Sequence, residues 1–72
     1  MNNQRFEYAS VEWLWDSSNL RCNLPNGEEF TRTGTYGEVV TMLTELGSEG
    51  WDVASCVANS NWLYWTLKRV IS

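Results

Sequence analysis

The apolar residues of this chain follow two different periods. From Arg5 to Trp15 they alternate: Phe6, Tyr8 and Leu14 fall on one parity, and Ala9, Val11, Trp13 and Trp15 on the other. The stretch is rich in aromatic and β-branched residues, so it predicts a strand with both sides partly apolar. Asp16-Ser17-Ser18-Asn19 is a turn signal. Leu20 to Leu24 can form a second strand, Pro25-Asn26-Gly27 a tight turn, and Glu28 to Arg32 a return arm. Read from residues alone, 20–32 fits either a small hairpin or an irregular loop.

The period then changes. Tyr36, Val39, Val40, Leu43 and Leu46 fall at i, i+3, i+4, i+7 and i+10, one apolar stripe at helical spacing. Thr35 and Glu38 have the spacing of a capping box, in which a hydroxyl serves an orphan amide and a carboxylate reaches back. Gly47 weakens the last turn without ending it. Gly50 suits a left-handed cap, which places the helix end near Glu49.

Alternation returns over Trp51 to Ala58, with Trp51, Val53 and Val57 on one parity and the smaller Ala54, Cys56 and Ala58 on the other. Asn59-Ser60-Asn61 makes a short turn into a last strand, Trp62 to Ile71. There Leu63, Trp65, Leu67 and Ile71 share one face, and Trp62 and Tyr64 the opposite one. The predicted fold is α+β: a small antiparallel sheet of three to five strands with one helix packed on one face, in the order β-(ββ)-α-β-β. It forms a single domain over 1–72. Trp51, Leu43, Leu46, Val53 and Trp65 are the expected core.

Size makes this fold marginal. Seventy-two residues bury only about 60% of their unfolded surface. A core of that size rarely supplies more than about 3–5 kcal/mol, so such chains usually rely on a disulfide, a metal or a partner. The two cysteines, Cys22 and Cys56, are not arranged as a Cys-x-x-Cys pair, and Met1-Asn2-Asn3-Gln4-Arg5 is polar, without the pattern of a secretory leader. The expectation is a cytoplasmic protein with both thiols buried and free. With no histidine and no clustered carboxylates, no metal site and no cofactor are expected. A partner subunit remains. Five tryptophans, three tyrosines and two phenylalanines are more aromatic surface than one helix can cover in so small a domain.

Net charge −4, with only five basic residues, opposes sequence-independent nucleic-acid binding and attraction to an anionic membrane. No apolar run approaches the length of a spanning helix.

The stretch Met42 to Val53 reads M-L-T-E-L-G-S-E-G-W-D-V. Through Leu46, Gly47, Glu49, Gly50, Trp51, Asp52 and Val53 it resembles the core of domain-of-unknown-function family 4177, found in bacteria and phages. Phe6-Glu7-Tyr8 and Leu67-Lys68-Arg69 are similar to the first and last strands of that family, so the resemblance covers about half the chain. It implies a fold and carries over no catalytic residue. The span from Trp13 to Thr35 departs from the family pattern, being longer and richer in tryptophan. The residues give the motif a physical reading as well: Gly50 permits a sharp exit from the helix, and Trp51 plugs the joint between helix and sheet.

For function, the residues exclude more than they identify. The absence of histidine removes the commonest proton shuttle near neutral pH and any His-activated thiol, so the chain reads as non-enzymatic, with no catalytic residue assigned. The leading expectation is an interaction module that self-associates, as a two-fold dimer, through an aromatic sheet face anchored by Trp13, Trp15, Trp62 and Tyr64. On that reading Trp13→Ala weakens association more than it perturbs the fold. One alternative is a small-ligand binder, such as a protein sequestering a nucleotide signal, with Arg21, Arg32 or Arg69 contacting an anionic planar molecule. Another is an adaptor that binds a different protein through the span 16–35.

Overall fold

The computed structural model describes residues 4–71; Met1, Asn2 and Asn3, part of the polar N-terminal stretch, lie outside them. The fold is α+β. Strand β1 (Arg5–Leu14) is followed by β2 (Asn19–Asn23), β3 (Glu29–Thr33), helix α1 (Tyr36–Gly47), β4 (Asp52–Ala58) and β5 (Trp62–Ile71). The five strands form one antiparallel sheet in the order β3-β2-β1-β5-β4. The span 20–32 is therefore a hairpin that widens the sheet. Its turn is a short 3-10 segment, Pro25–Gly27, in which Asn26 and Gly27 take positive φ (68° and 77°).

Pairing of β1 with β5 carries the fold. Ten residues of each strand run opposite one another, from Arg5↔Ile71 to Leu14↔Trp62. This register sets the faces. Ala9, Val11 and Trp13 stand opposite Leu67, Trp65 and Leu63, and Leu20 and Cys22 of β2 extend the same surface. Helix α1 lays Val39, Met42 and Leu46 on it, closing a core that also takes in Trp51.

The helix differs from its sequence reading in three respects. It ends at Gly47, two residues before Glu49, because a succession of tight turns takes over: Glu49 N–H donates to Leu46 O (2.9 Å), Gly50 N–H to Gly47 O (3.0 Å) and Trp51 N–H to Leu46 O (3.1 Å). Gly50 does take a left-handed φ, +95°. No capping box forms. The Thr35 side chain makes no cap hydrogen bond, and its carbonyl instead accepts from Glu38 and Val39 N–H (3.0 and 3.3 Å). Gly34 packs so tightly on Glu38 that a Cβ there would lie 2.6 Å from the Glu38 Cβ. Third, the buried stripe is rotated. Val39, Met42 and Leu46 face the core, while Tyr36 and Val40 are 51% and 48% exposed.

Strand β4 also departs from its simple alternation. A bulge between Val53 and Ser55 puts Val53 opposite Leu67 on the helix side and Val57 opposite Tyr64 on the other. Every residue of β4 is exposed, so Val53 (51%) is not core and the Cys56 thiol is not buried. The reason is width. Five strands at about 4.8 Å spacing outspan a helix about 10 Å across, and β4 lies beyond its edge. Cys22, Val11, Trp65 and Cys56 form one row across four neighbouring strands. Three strand spacings, about 14 Å, separate the cysteines, well beyond disulfide reach.

Candidate functional site

Among the described residues, one helix on a five-stranded sheet leaves the second face bare, and residues of the opposite parity line it. Row by row across β1 and β5 they are Phe6–Val70, Tyr8–Lys68, Ser10–Thr66, Glu12–Tyr64 and Leu14–Trp62. β2 adds Asn23 beside Ser10 and Arg21 beside Glu12. β4 adds Val57 beside Tyr64 and Asp52 beside Lys68. The face thus carries two apolar patches separated by a polar furrow. In one patch Trp62 and Tyr64 meet edge to face at 5.7 Å, flanked by Leu14 and Val57. In the other, Lys68 lies 4.9 Å over the Phe6 ring, beside Tyr8 and Val70.

Large apolar groups on this face stand open to solvent: Tyr8 is 59% exposed, Val57 54% and Val70 52%. In the furrow Ser10 is 9% exposed although no helix or strand among the described residues covers it. The Asn23 Nδ2 donates to its Oγ at 3.3 Å. Between Tyr8 and Tyr64 the furrow forms a shallow depression of about 260 Å³, floored by Ser10 and Thr66. Charges on the face stand in opposite-sign pairs, Glu12 with Arg21 and Asp52 with Lys68.

The four tryptophan and tyrosine anchors expected from sequence do not share this face. Trp62 and Tyr64 lie on it. Trp13 lies on the helix side, packed against the core, with its ring 5.5 Å from that of Tyr36. Its Nε1–H donates to Gly34 O at 3.1 Å, and Gly34 N–H donates to Ser18 O at 2.8 Å. Trp13 therefore ties the β1–β2 turn to the helix entrance. Trp15 lies past the end of β1, edge-on to Trp13 at 6.0 Å, and its N–H donates to Asn61 O at 3.2 Å. The face residues that the sequence reading did not name as anchors are Phe6, Tyr8, Leu14, Val57 and Val70. Three of them, Phe6, Tyr8 and Leu14, share one parity in the sequence.

The three candidate ligand arginines do not converge. Arg21 approaches Glu29 at 3.9 Å, and Arg32 donates to the exposed Glu45 of α1 at 3.3 Å. Arg69 pairs with Glu7 directly across the β1–β5 ladder, stacks 4.3 Å from the Trp51 ring and donates to Glu49 O at 3.0 Å. Arg32 and Arg69 each donate to a carboxylate, and Arg21 lies at ion-pair distance from one. Among the described residues, no group of three or more Cys, Asp or Glu side chains is placed to hold a metal ion. Among the described residues, no helix is long and apolar enough to cross a membrane. Burial pushes the Cys22 thiol above its ordinary pKa, partly offset by the nearby Arg32 charge.

No family model matches the chain, and no curated protein or solved structure shows detectable similarity to it.

Proposed function

We propose that this protein is a small non-enzymatic interaction module that self-associates through the bare face of its sheet. One observation carries the reading. Among the described residues, a face holding Phe6, Tyr8, Leu14, Trp62, Tyr64, Val57 and Val70 has no covering element, while helix α1 is spent on the other side. Contiguous apolar patches of this kind, rimmed by polar residues, mark contact surfaces. The chain is also more extended than its length requires, with a radius of gyration of 12.9 Å against about 11 Å for a compact domain. A second copy related by a two-fold axis presents the same two patches and furrow, and supplies the missing layer of a β-sandwich.

The expected contacts are Tyr8, Trp62 and Tyr64. Light scattering at micromolar concentration tests the reading: Tyr8→Ser/Tyr64→Ser should lower the associated mass without unfolding the chain. A wild-type protein that is strictly monomeric contradicts it.

The depression between Tyr8 and Tyr64 supports a second reading, a site for a small planar molecule. It is smaller and shallower than the roughly 300–1,000 Å³ of typical ligand pockets, and Arg32 and Arg69 lie elsewhere. A thermal-shift screen with cyclic and dinucleotides tests it; no shift with any of them rejects it. We propose a fold-making role for the joint formed by Leu46, Gly50 and Trp51, where Trp51 N–H donates to Leu46 O and Gly50 takes a left-handed φ.

A further inference from the structure

The two edges of the sheet are treated differently. Edge β3 is dressed with charge: Glu29 approaches Arg21, and Arg32 is bound to Glu45 and lies 5.2 Å over the Phe30 ring. Such side chains discourage pairing with another strand. Edge β4 has no such guard. Its sequence Asp-Val-Ala-Ser-Cys-Val-Ala contains no lysine, arginine or proline, and all seven residues are exposed. The bulge at Val53/Ser55 blunts only its first half, leaving Ser55 to Ala58 in regular register with β5. On the helix side, an apolar flank of α1 reaches β5, the strand beside β4. Tyr36 reaches the Trp65 ring at 6.4 Å, and Val40, one turn further, is 48% exposed.

We propose that β4 pairs antiparallel with the β4 of a second copy of this chain, across a two-fold axis within Ser55–Val57. The strand is suited to itself in this direction alone. Its one charge, Asp52, sits at the start of the strand. Antiparallel pairing sets that charge near the small, neutral Ala58 of the other copy. Parallel pairing would stack Asp52 on Asp52, a destabilising like-charge pair. The small side chains between leave both faces of the joined strands unobstructed. Two five-stranded sheets thereby become one of ten. The required axis runs perpendicular to the sheet, so edge pairing is independent of face-to-face packing, whose axis lies in the sheet plane. The two together close into a tetramer of D2 symmetry.

Cys56 lies within the Ser55–Val57 stretch that holds the axis and its thiol is exposed, which makes it a reporter. A short bis-maleimide added to the native protein should link Cys56 of one copy to Cys56 of the next, giving a covalent dimer absent from Cys56→Ser. The Cys56 cross-link reads the edge, whereas the loss of mass in Tyr8→Ser/Tyr64→Ser reads the open face, so failure of the face reading and failure of edge pairing are told apart. Val53→Lys/Ala58→Lys places cations on the helix side of β4 only, and should cut the yield by about fivefold while the melting temperature holds. No cross-linked dimer in the wild type, or an undiminished yield in the lysine variant, overturns the proposal.

Discussion

Trp13 and Trp62 sit in adjacent rows of the same β1–β5 ladder, yet the sheet lies between them. Trp13 is locked on the helix side by its hydrogen bond to Gly34, whereas Trp62 joins Tyr64 on the open face. The two should therefore fail in opposite ways. Trp13→Ala removes a packed ring and a tie between two loops, and should cost about 3 kcal/mol, read as a lowered denaturation midpoint. Trp62→Ser should change stability by less than about 1 kcal/mol while reducing association. Equal loss of stability in both variants would contradict the assignment of faces.

The helix-to-strand joint should be the least forgiving part of the chain. Trp51 is 4% exposed, beneath the Arg69 guanidinium. Trp51→Ala should cost about 3–5 kcal/mol, enough to unfold a domain this small, and a circular-dichroism melt reads it directly. Gly50→Ala meets no steric obstacle, since the added Cβ would lie 3.9 Å from the Arg69 Cδ, but it must hold φ at +95°. Its cost should be smaller, about 1–2 kcal/mol.

The Glu7–Arg69 pair bridges the two central strands, with its side chains 22% and 33% exposed. Glu7→Gln keeps the shape and removes the charge. The expected loss is about 1–2 kcal/mol, the lower part of the range for a hydrogen bond to a charged group because both side chains are partly open to solvent. A double-mutant cycle with Arg69→Gln should return a coupling of that size, and additive effects would show that the pair contributes nothing.

The thiols should separate by reactivity. A thiol reagent should modify exposed Cys56 at once and buried Cys22 only as the chain opens. Because burial raises the Cys22 pKa, the unfolded chain loses that proton first. Stability from the neutral thiol is complete below the unfolded value, about 8.5, and declines as pH rises above it. Cys22→Ala should flatten that alkaline decline. Two equally fast thiols would refute the placement of Cys22.

Much of the fold was legible in the residues. Strand periods, the turn at Pro25–Gly27 and the left-handed Gly50 follow from side-chain patterning and backbone sterics. The helix rotation did not, because Tyr36-Val40-Leu43 and Val39-Met42-Leu46 are both apolar stripes at helical spacing. Contact with Trp13 and Trp65 on one flank and the Arg32–Glu45 bond on the other fixes which stripe is buried. The faces of β4 were hidden because a bulge leaves no mark in alternation. The open face was half legible: the parity of Trp62 and Tyr64 placed them together, but matching them to Tyr8 and Leu14 requires the β1–β5 register. Trp13 was misplaced because an indole serves equally as a contact anchor or as an internal donor, and its partner, Gly34, is 21 residues away.

Self-association requires that the sheet face opposite α1 be covered by another copy of the chain. Sedimentation equilibrium across micromolar concentrations, on wild type and Tyr8→Ser/Tyr64→Ser, measures this directly. The expected result is a wild-type mass of at least twice that of the chain, falling in the variant at an unchanged melting temperature. A wild type that remains monomeric throughout, or a variant that associates as fully as the wild type, contradicts it.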